Sequence, residues 1–211
     1  MSVQSLAHEN EQCRRLRTEL NKAEIGLRDQ RERVAALRPA LPGDSVYPDQ
    51  EFVEWRDREL RQTSLSGLFT QADKPLILMH LMYGANEHVC PMCAMWAEGY
   101  NALMAHILQF ANFAVLIAGD SALFSAVARQ RGWTGMRVVS AAKSPVKREL
   151  GFEHEHGGQM PGVSVFSRGD AGEIVHHYSQ SAMLADGEFR GVDLLNPVWH
   201  FLDLLPNGRG D

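Results

Sequence analysis

The sequence has few cysteines and no excess of basic residues. Its 211 residues include three Cys, and 21 Lys and Arg stand against 26 Asp and Glu, which gives a formal net charge of -5. Three cysteines are too few for the disulfide framework of a small secreted domain, so we expect a reducing cytoplasm. The acidic balance argues against nucleic acid and anionic membrane as partners.

Long apolar runs and nucleotide-binding motifs are also missing. The longest apolar stretch, residues 102–118, is interrupted by His106, Gln109 and Asn112, which favours a helix end followed by a strand over a membrane span. Residues 1–10 are polar and lack the apolar core of a secretory signal. No glycine-rich dinucleotide or phosphate motif is present, so we expect no organic cofactor.

Residues 1–38 form a separate compositional zone, rich in Glu, Arg, Gln and Leu, and are predicted to be a helical extension. Pro39 ends the helix because it pushes the preceding residue out of helical backbone. We expect this helix to pack on its own domain or on a second copy of the chain, as a homodimer; the alternative is a helix that recognises another partner. Its loose apolar stripe consists of Leu6, Cys13, Leu16, Leu20, Leu27, Val34 and Leu37.

Residues 39–211 are predicted to form one α/β domain. Residues 39–75 are expected to be irregular, with short strands, one of which could contain Phe52, Val53 and Trp55. Two apolar runs, 76–83 and 113–118, are typical of strands buried on both faces, and a helical pattern follows each. Residues 162–166 and 173–178 flank a glycine-containing turn and predict a hairpin. This order predicts an α/β sandwich whose mostly parallel sheet gains an antiparallel strand.

A Cys-x-x-Cys motif follows the first buried strand and opens a helix. Free N–H groups and the helix dipole at that position favour the thiolate form of Cys90. Cys90 can then attack a disulfide, and Cys93, one turn inward, can resolve the mixed disulfide. Pro91 suits an early helical position because it has no N–H to leave unpaired. The alternatives are metal binding and a purely structural pair.

Pro161 stands ahead of the predicted hairpin, and in this topology it lies across from the cysteine motif. We predict a cis bond between Met160 and Pro161, because it would hold a backbone edge beside the sulfurs to pair with a peptide or steer a substrate. Pro91 and Trp96 complete the expected substrate-binding set.

Two side chains are candidates for moving protons near the cysteines. His80 lies in a buried strand and could relay protons to a buried Cys93, and Glu98 lies one turn past Cys93. A hydrogen-bonded core histidine and a solvated glutamate are the simpler explanations. No metal is expected, although three loop histidines could join the two sulfurs in a zinc or copper site. These are His88, His154 and His156.

The pattern of strand, Cys-Pro-x-Cys, helix and Pro before a hairpin resembles the thioredoxin-like superfamily. Nearly the whole chain resembles the DUF899 family, whose members are labelled dithiol-disulfide oxidoreductases related to the alkyl hydroperoxide reductase and thiol-specific antioxidant group. The resemblance implies a thioredoxin-like fold with a central mixed sheet flanked by helices. It also implies a protein or small-molecule disulfide or thiol as substrate and an external thiol as reductant. The matching stretches are residues 63–69, 79–84, 90–93, 96–99, 132–133, 161–166 and 201–209.

The chain departs from a peroxiredoxin-type peroxidase in one important place. Such enzymes have Thr three residues before the reactive Cys, and Glu87 stands there in this sequence. No Arg in the matched stretches is clearly placed to complete a peroxide site. The prediction is therefore thiol–disulfide exchange by Cys90 and Cys93. A metal-binding or non-catalytic module and, after it, a thiol peroxidase are the alternatives.

Overall fold

A long exposed helix occupies the N-terminal part of the computed structural model. This helix, α1 (Glu11–Leu37), begins at Asn10, whose side-chain oxygen accepts a hydrogen bond from the Cys13 N–H at 2.8 Å. No residue of α1 is buried. The chain divides into two units, Met1–Pro42 and Gly43–Asp211. The structure describes residues 7–42, 45–84, 88–189, 191, 195–196 and 198–206.

The second unit is built on a mixed sheet, which has eight strands in the part of the chain that the structure describes. In chain order they are β1 (Val46–Tyr47), β2 (Glu51–Arg56), β3 (Glu59–Ser64), β4 (Leu76–His80), β5 (Asn112–Ile117), β6 (Arg137–Ser140), β7 (Gly162–Arg168) and β8 (Ile174–Ser181). The helices are a short 3-10 turn (Ser66–Leu68), α2 (Pro91–Ile107), α3 (Ser121–Gln130), α4 (Val146–Glu149) and α5 (Val198–Leu202). Across the sheet the order is β1-β8-β7-β4-β5-β6-β2-β3.

The sheet is mixed, and the expectation that it would be mostly parallel is wrong. Only the β4–β5 and β5–β6 pairs are parallel among the seven pairings that the structure describes. Parallel neighbours need a crossover, and α2 and α3 supply the two that connect β4, β5 and β6. Antiparallel strands complete both edges, β7, β8 and β1 on one side and β2 and β3 on the other.

The β2–β3 hairpin lies in the segment that was expected to be irregular. Phe52, Val53 and Trp55 do lie in a strand, and that part of the prediction is confirmed. The connecting residues Asp57 and Arg58 both have positive φ, 55° and 66°, as a two-residue turn that matches strand twist requires. Glycine and asparagine are the usual residues there, so a charged pair gave no indication of a hairpin.

Alternating side chains of the central strands divide the core into two layers. Met79 and Val115 face the layer that contains Cys93 and Trp96 of α2. Leu78 and its neighbours on the same face belong to the opposite layer, together with residues of α4 and of the segment after β3. This alternation follows from the period of two along a strand, and it decides which strand residues reach the cysteines.

Side-chain caps mark the starts of two helices. The Asp120 side chain accepts hydrogen bonds from the Ala122 and Leu123 N–H groups at 2.7 and 2.9 Å at the start of α3. Asn196 caps α5 by accepting from the Val198 N–H at 3.1 Å, whereas Pro197 lies outside the described residues. Among the described helices, none combines the length and the apolar character needed to cross a membrane.

Candidate active site

The two motif cysteines lie at the N-terminal end of α2, after the loop that follows β4. Cys90 is the N-cap residue, and its carbonyl oxygen accepts the first helical hydrogen bond, from the Ala94 N–H at 2.9 Å. Pro91 begins the helix and is exposed to solvent. Cys90 therefore lies where the unpaired N–H groups and the helix dipole favour negative charge.

The two thiols differ in their surroundings. Cys90 and Cys93 are 4.1 Å apart and both are free, with Cys90 partly exposed and Cys93 only 1% exposed. Burial raises the pKa of the Cys93 thiol to about 12, while a hydrogen bond from the Met82 backbone N–H acts in the opposite direction. The arrangement thus provides one accessible thiol and, directly beneath it, one buried and protonated thiol.

An apolar cavity of about 160 Å³ opens beside both sulfurs. It is large enough for an apolar group about the size of a benzene ring. Thioether and ring carbons form most of its wall, and Asn196 lies at one side. The apolar side chains that line it include Met82, Met92, Met95, Trp96, Pro161 and Phe189.

Trp96 fixes one wall of this cavity. The side chain is 3% exposed, and its indole N–H donates to the Leu195 carbonyl oxygen at 3.3 Å. The Tyr100 hydroxyl donates to the same oxygen at 2.7 Å. Two donors from α2 therefore hold the backbone at Leu195 against the helix that carries the cysteines.

Pro161 also lines the cavity, but the predicted cis bond is wrong. The Met160–Pro161 peptide is trans, in agreement with the preference of about 0.5–1 kcal/mol for that form. The Pro161 carbonyl oxygen accepts from the Ala182 N–H at 2.9 Å, and the Met160 N–H donates to the Phe152 carbonyl oxygen at 3.0 Å. The Met160 N–H and the Pro161 carbonyl oxygen, which flank this bond, are therefore both hydrogen-bonded within the protein. Pro161 lines the cavity, and Met160 packs with Phe152 and Ala182.

The described contacts of the two proposed proton carriers are made with other residues than the cysteines. His80 is fully buried, its Nε2 is 2.9 Å from the Ser164 hydroxyl, and its Nδ1 has no hydrogen-bond partner, so it makes no hydrogen bond to Cys93. Burial and, after it, the charge of Lys147 hold the pKa of His80 well below its usual range. Glu98 is exposed and pairs with Arg131 at 2.9 Å.

The possible zinc or copper ligands are dispersed over exposed loops. His88, His154 and His156 are exposed, although His88 lies on the rim of a second depression that also reaches Cys90. Within the described residues, no group of three or more His, Cys, Asp or Glu side chains is arranged to hold a metal ion.

One residue at the site escaped the sequence analysis. Lys147, in α4, is completely buried, and its ammonium group donates to the Leu81 carbonyl oxygen at 2.9 Å. Burial lowers the pKa of Lys147 to about 8, and Cys93 and then Glu153 act in the opposite direction. A lysine next to Arg and Glu in a four-residue helix looks like a solvated residue, so no sequence pattern distinguishes it.

Comparison with known proteins supports the fold and the family. A family model described as "Bacterial protein of unknown function (DUF899)" matches residues 3–211. No curated protein matches the chain in sequence. A structure from Burkholderia cenocepacia, provisionally described as a thioredoxin reductase, matches with a TM-score of 0.51 and 17% identity, over 70% of this chain and 90% of that chain. The chain has this thioredoxin-like fold.

Two peroxiredoxin structures match with lower TM-scores. Reduced Prx3 of Vibrio vulnificus in complex with hydrogen peroxide has a TM-score of 0.49 and 11% identity, over 65% of this chain and 88% of that chain. A cysteine-to-serine variant of Xanthomonas campestris peroxiredoxin Q has a TM-score of 0.47 and 14% identity, over 76% of this chain and 95% of that chain. At such identities the likeness does not extend to activity.

Proposed function

Since the chain belongs to the DUF899 family of bacterial proteins of unknown function, we propose its function from its own cysteines: thiol–disulfide exchange. The observation that carries the proposal is the asymmetry of the pair. Cys90 is accessible at a helix N-terminus beside an apolar cavity, and Cys93 is buried and protonated 4.1 Å away. An exposed attacking thiol and a shielded resolving thiol are what a two-step exchange needs.

The reaction proceeds in two displacements. The Cys90 thiolate attacks one sulfur of a substrate disulfide, so that a mixed S–S bond forms, the substrate S–S bond breaks, and the leaving thiolate takes a proton from water. Cys93 then loses its proton to water and attacks the Cys90 sulfur, which forms the Cys90–Cys93 bond and releases the second substrate thiol. Two electrons pass from the protein dithiol to the substrate disulfide.

An external thiol returns the oxidised pair to the dithiol. The sequence of the second unit contains no motif for an organic cofactor that could supply the electrons instead. We place this cycle in the reducing cytoplasm, where such thiols are abundant. The substrate is a protein or small-molecule disulfide that brings an apolar group to the cavity beside Cys90. Pro161, Trp96 and the methionines of its wall are the residues that would contact that group.

The proposal is tested by trapping thiols across graded dithiol buffers and mapping paired cysteines by mass spectrometry. We expect a reversible Cys90–Cys93 disulfide with a defined potential. Cys93→Ser should accumulate the mixed disulfide with a model substrate, and Cys90→Ser should form none. Cys13→Ser, which removes the exposed third thiol, is the matched control and should behave as the wild type. Full exchange activity in Cys90→Ser would contradict the assignment.

The same purified protein distinguishes thiol–disulfide exchange from the two alternatives, a thiol peroxidase and a metal-binding module. Hydrogen peroxide as the only oxidant should oxidise the pair slowly, because the described cavity wall includes no Thr or Arg that could orient a peroxide. Rapid peroxide consumption would favour a thiol peroxidase. Metal that co-purifies with the protein and shields both thiols until a chelator is added would favour a metal-binding module.

A further inference from the structure

A buried positive charge lies close to the resolving thiol. Lys147 is completely buried, and among the described residues it forms no ion pair, whereas its neighbour Arg148 reaches Glu153 at 4.0 Å. Its one described side-chain hydrogen bond goes to the Leu81 carbonyl oxygen. An ammonium group with so few partners is costly in a protein interior, so its position calls for a role other than stability.

The group that Lys147 holds is one side of a single peptide unit. The carbonyl of Leu81 and the N–H of Met82 belong to the same planar peptide and point in opposite directions. Lys147 donates to the carbonyl side at 2.9 Å, and the N–H side donates to the Cys93 sulfur. The Leu81–Met82 peptide therefore connects the ammonium group to the sulfur by two hydrogen bonds in series.

We propose that Lys147 is a positioning residue for Cys93, which holds and polarises the Leu81–Met82 peptide so that its N–H stabilises the Cys93 thiolate during resolution. Hydrogen bonds in series polarise one another, and the positive charge acts on the sulfur in the same direction. The inference rests on the proposed function, because it assigns a residue to the second of the two displacements.

The charges around Lys147 agree with this role. The charge of Lys147 lowers the pKa of Cys93, although burial keeps that pKa high. The groups that interact with Lys147 are Cys93 and Glu153, which raise its pKa against the larger effect of burial, and His80, whose own pKa Lys147 lowers. With a pKa of about 8, Lys147 carries its charge at neutral pH and loses it in mildly alkaline solution.

Each displacement can be followed separately with an aromatic disulfide reagent that releases a coloured nitrothiobenzoate. In the Cys13→Ser protein, attack by Cys90 releases the first coloured thiolate and leaves a mixed disulfide. Attack by Cys93 on the Cys90 sulfur then releases the second. The first phase thus reports on Cys90 and serves as an internal control, and the second phase reports on Cys93.

We expect Lys147→Met to slow the second phase and leave the first unchanged. Each unit of increase in the Cys93 pKa reduces the thiolate fraction tenfold. A more basic thiolate is also a better nucleophile, so the second-phase rate falls by only about threefold per unit. Lys147→Gln should behave alike, and Lys147→Arg should retain the fast phase. The matched control is Lys143→Met, at an exposed lysine four residues earlier, before α4 begins.

The pH profile distinguishes this role from a structural one. In the wild type the second-phase rate should rise less steeply above about pH 8, where Lys147 loses its charge. Lys147→Arg, which stays charged, should show no such break, and this variant decides the matter if the neutral variants do not fold. An unchanged second phase in Lys147→Met, or an equal loss in Lys143→Met, would overturn the inference and leave the exchange function intact. A wild type without any second phase would contradict the exchange function itself.

Discussion

Lys147 carries its charge inside the protein at a cost to stability. Its pKa falls from the ordinary lysine value of about 10.5 to about 8 because burial penalises the ammonium form. A shift of this size corresponds to about 3 kcal/mol of destabilisation when the residue is charged in both states. Retaining a group that weakens the fold is typical of sites selected for activity.

We therefore predict that Lys147→Met stabilises the reduced protein at neutral pH, by up to about 3 kcal/mol. Between pH 8 and 10.5, Lys147 is protonated in the unfolded wild type but deprotonated in the folded wild type. The free energy of unfolding of the wild type therefore rises with pH across this window. The advantage of the variant should accordingly shrink across that window. Urea unfolding of both proteins at pH 7 and pH 10 measures this difference in the free energy of unfolding.

The other groups that titrate in this window do not disturb the comparison. Burial raises the pKa of Cys93 and of Tyr100 to about 12, so both groups lower the stability of either protein as pH rises above their unfolded values. That contribution is shared and largely cancels in the difference between wild type and variant. A variant less stable than the wild type at both pH values would mean that Lys147 has a stabilising partner in solution.

Sequence reasoning found the cysteines but not their electrostatic partner. Cys90 and Cys93 follow from spacing and from their place at a helix start, which are local properties. Lys147 reaches the site from more than fifty residues along the chain, through a hydrogen bond to backbone, and backbone partners leave no trace in side-chain patterns. His80 was singled out because it is buried, yet burial does not tell which face of a strand a side chain occupies.

At the scale of elements, the β2–β3 turn is strained by its residues. Asp57 and Arg58 both hold positive φ, which costs L-residues about 1–2 kcal/mol each. The ion pair of Asp57 with Arg61 at 3.1 Å is exposed and contributes little. Replacing the pair by Asn-Gly, as Asp57→Asn with Arg58→Gly, should stabilise the protein by about 1 kcal/mol in urea unfolding.

A glycine in the other hairpin provides the opposite control. Gly172, in the β7–β8 turn, has φ of 87° and open space around it, so Gly172→Ala adds backbone strain without a steric clash. We expect a loss of about 1 kcal/mol. A destabilised Asn-Gly variant, with Gly172→Ala behaving as expected, would show that Asp57 and Arg58 are not left-handed in solution.

The elements that sequence predicted best are those with buried, periodic patterns. β4, β5 and α2 were all placed, since runs of apolar residues and a 3.6-residue period are strong local indications. The order of strands in the sheet was harder to predict from the sequence. The β2–β3 hairpin has charged residues at its turn and an exposed second strand, so neither glycine nor alternation marked it. Without that hairpin, the sheet was expected to be mostly parallel.

At the scale of the whole molecule, α1 presents an apolar stripe with no buried residue. Cys13, Leu20, Leu27 and Val34 are spaced seven residues apart, which is the repeat of a two-stranded coiled coil. A second set starts three residues later in each repeat, as the alternate core position of a coiled coil requires. It comprises Leu16, Ala23, Gln30 and Leu37. We propose that residues 1–38 are an extension of the domain 39–211 and that α1 pairs with α1 of a second copy.

The charges beside this stripe favour an antiparallel pair. In a parallel coiled coil, Glu19 would face Glu24 of the second copy, and Arg33 would face Arg38. By symmetry each of these like-charged contacts occurs twice in a parallel pair. An antiparallel pair instead makes two contacts between Glu19 and Arg33 of the second copy, which offset most of its own like-charged contacts, those of Arg17 with Arg31 and of Glu24 with its equivalent. Cys13 then lies far from its own equivalent, so mild oxidation should not link two copies through Cys13.

The oligomeric state of the full chain tests the pairing. We expect the wild type to sediment as a dimer at micromolar concentration and the double variant Leu20→Lys, Leu27→Lys to sediment as a monomer, because two charges would be buried in the seam. Ile25→Lys is the matched control, since Ile25 is exposed on the same helix but lies off the stripe. It should remain dimeric. A monomeric wild type, or equal dissociation in Ile25→Lys, would show that this stripe does not join two copies, and a Cys13–Cys13 crosslink on oxidation would reverse the predicted orientation.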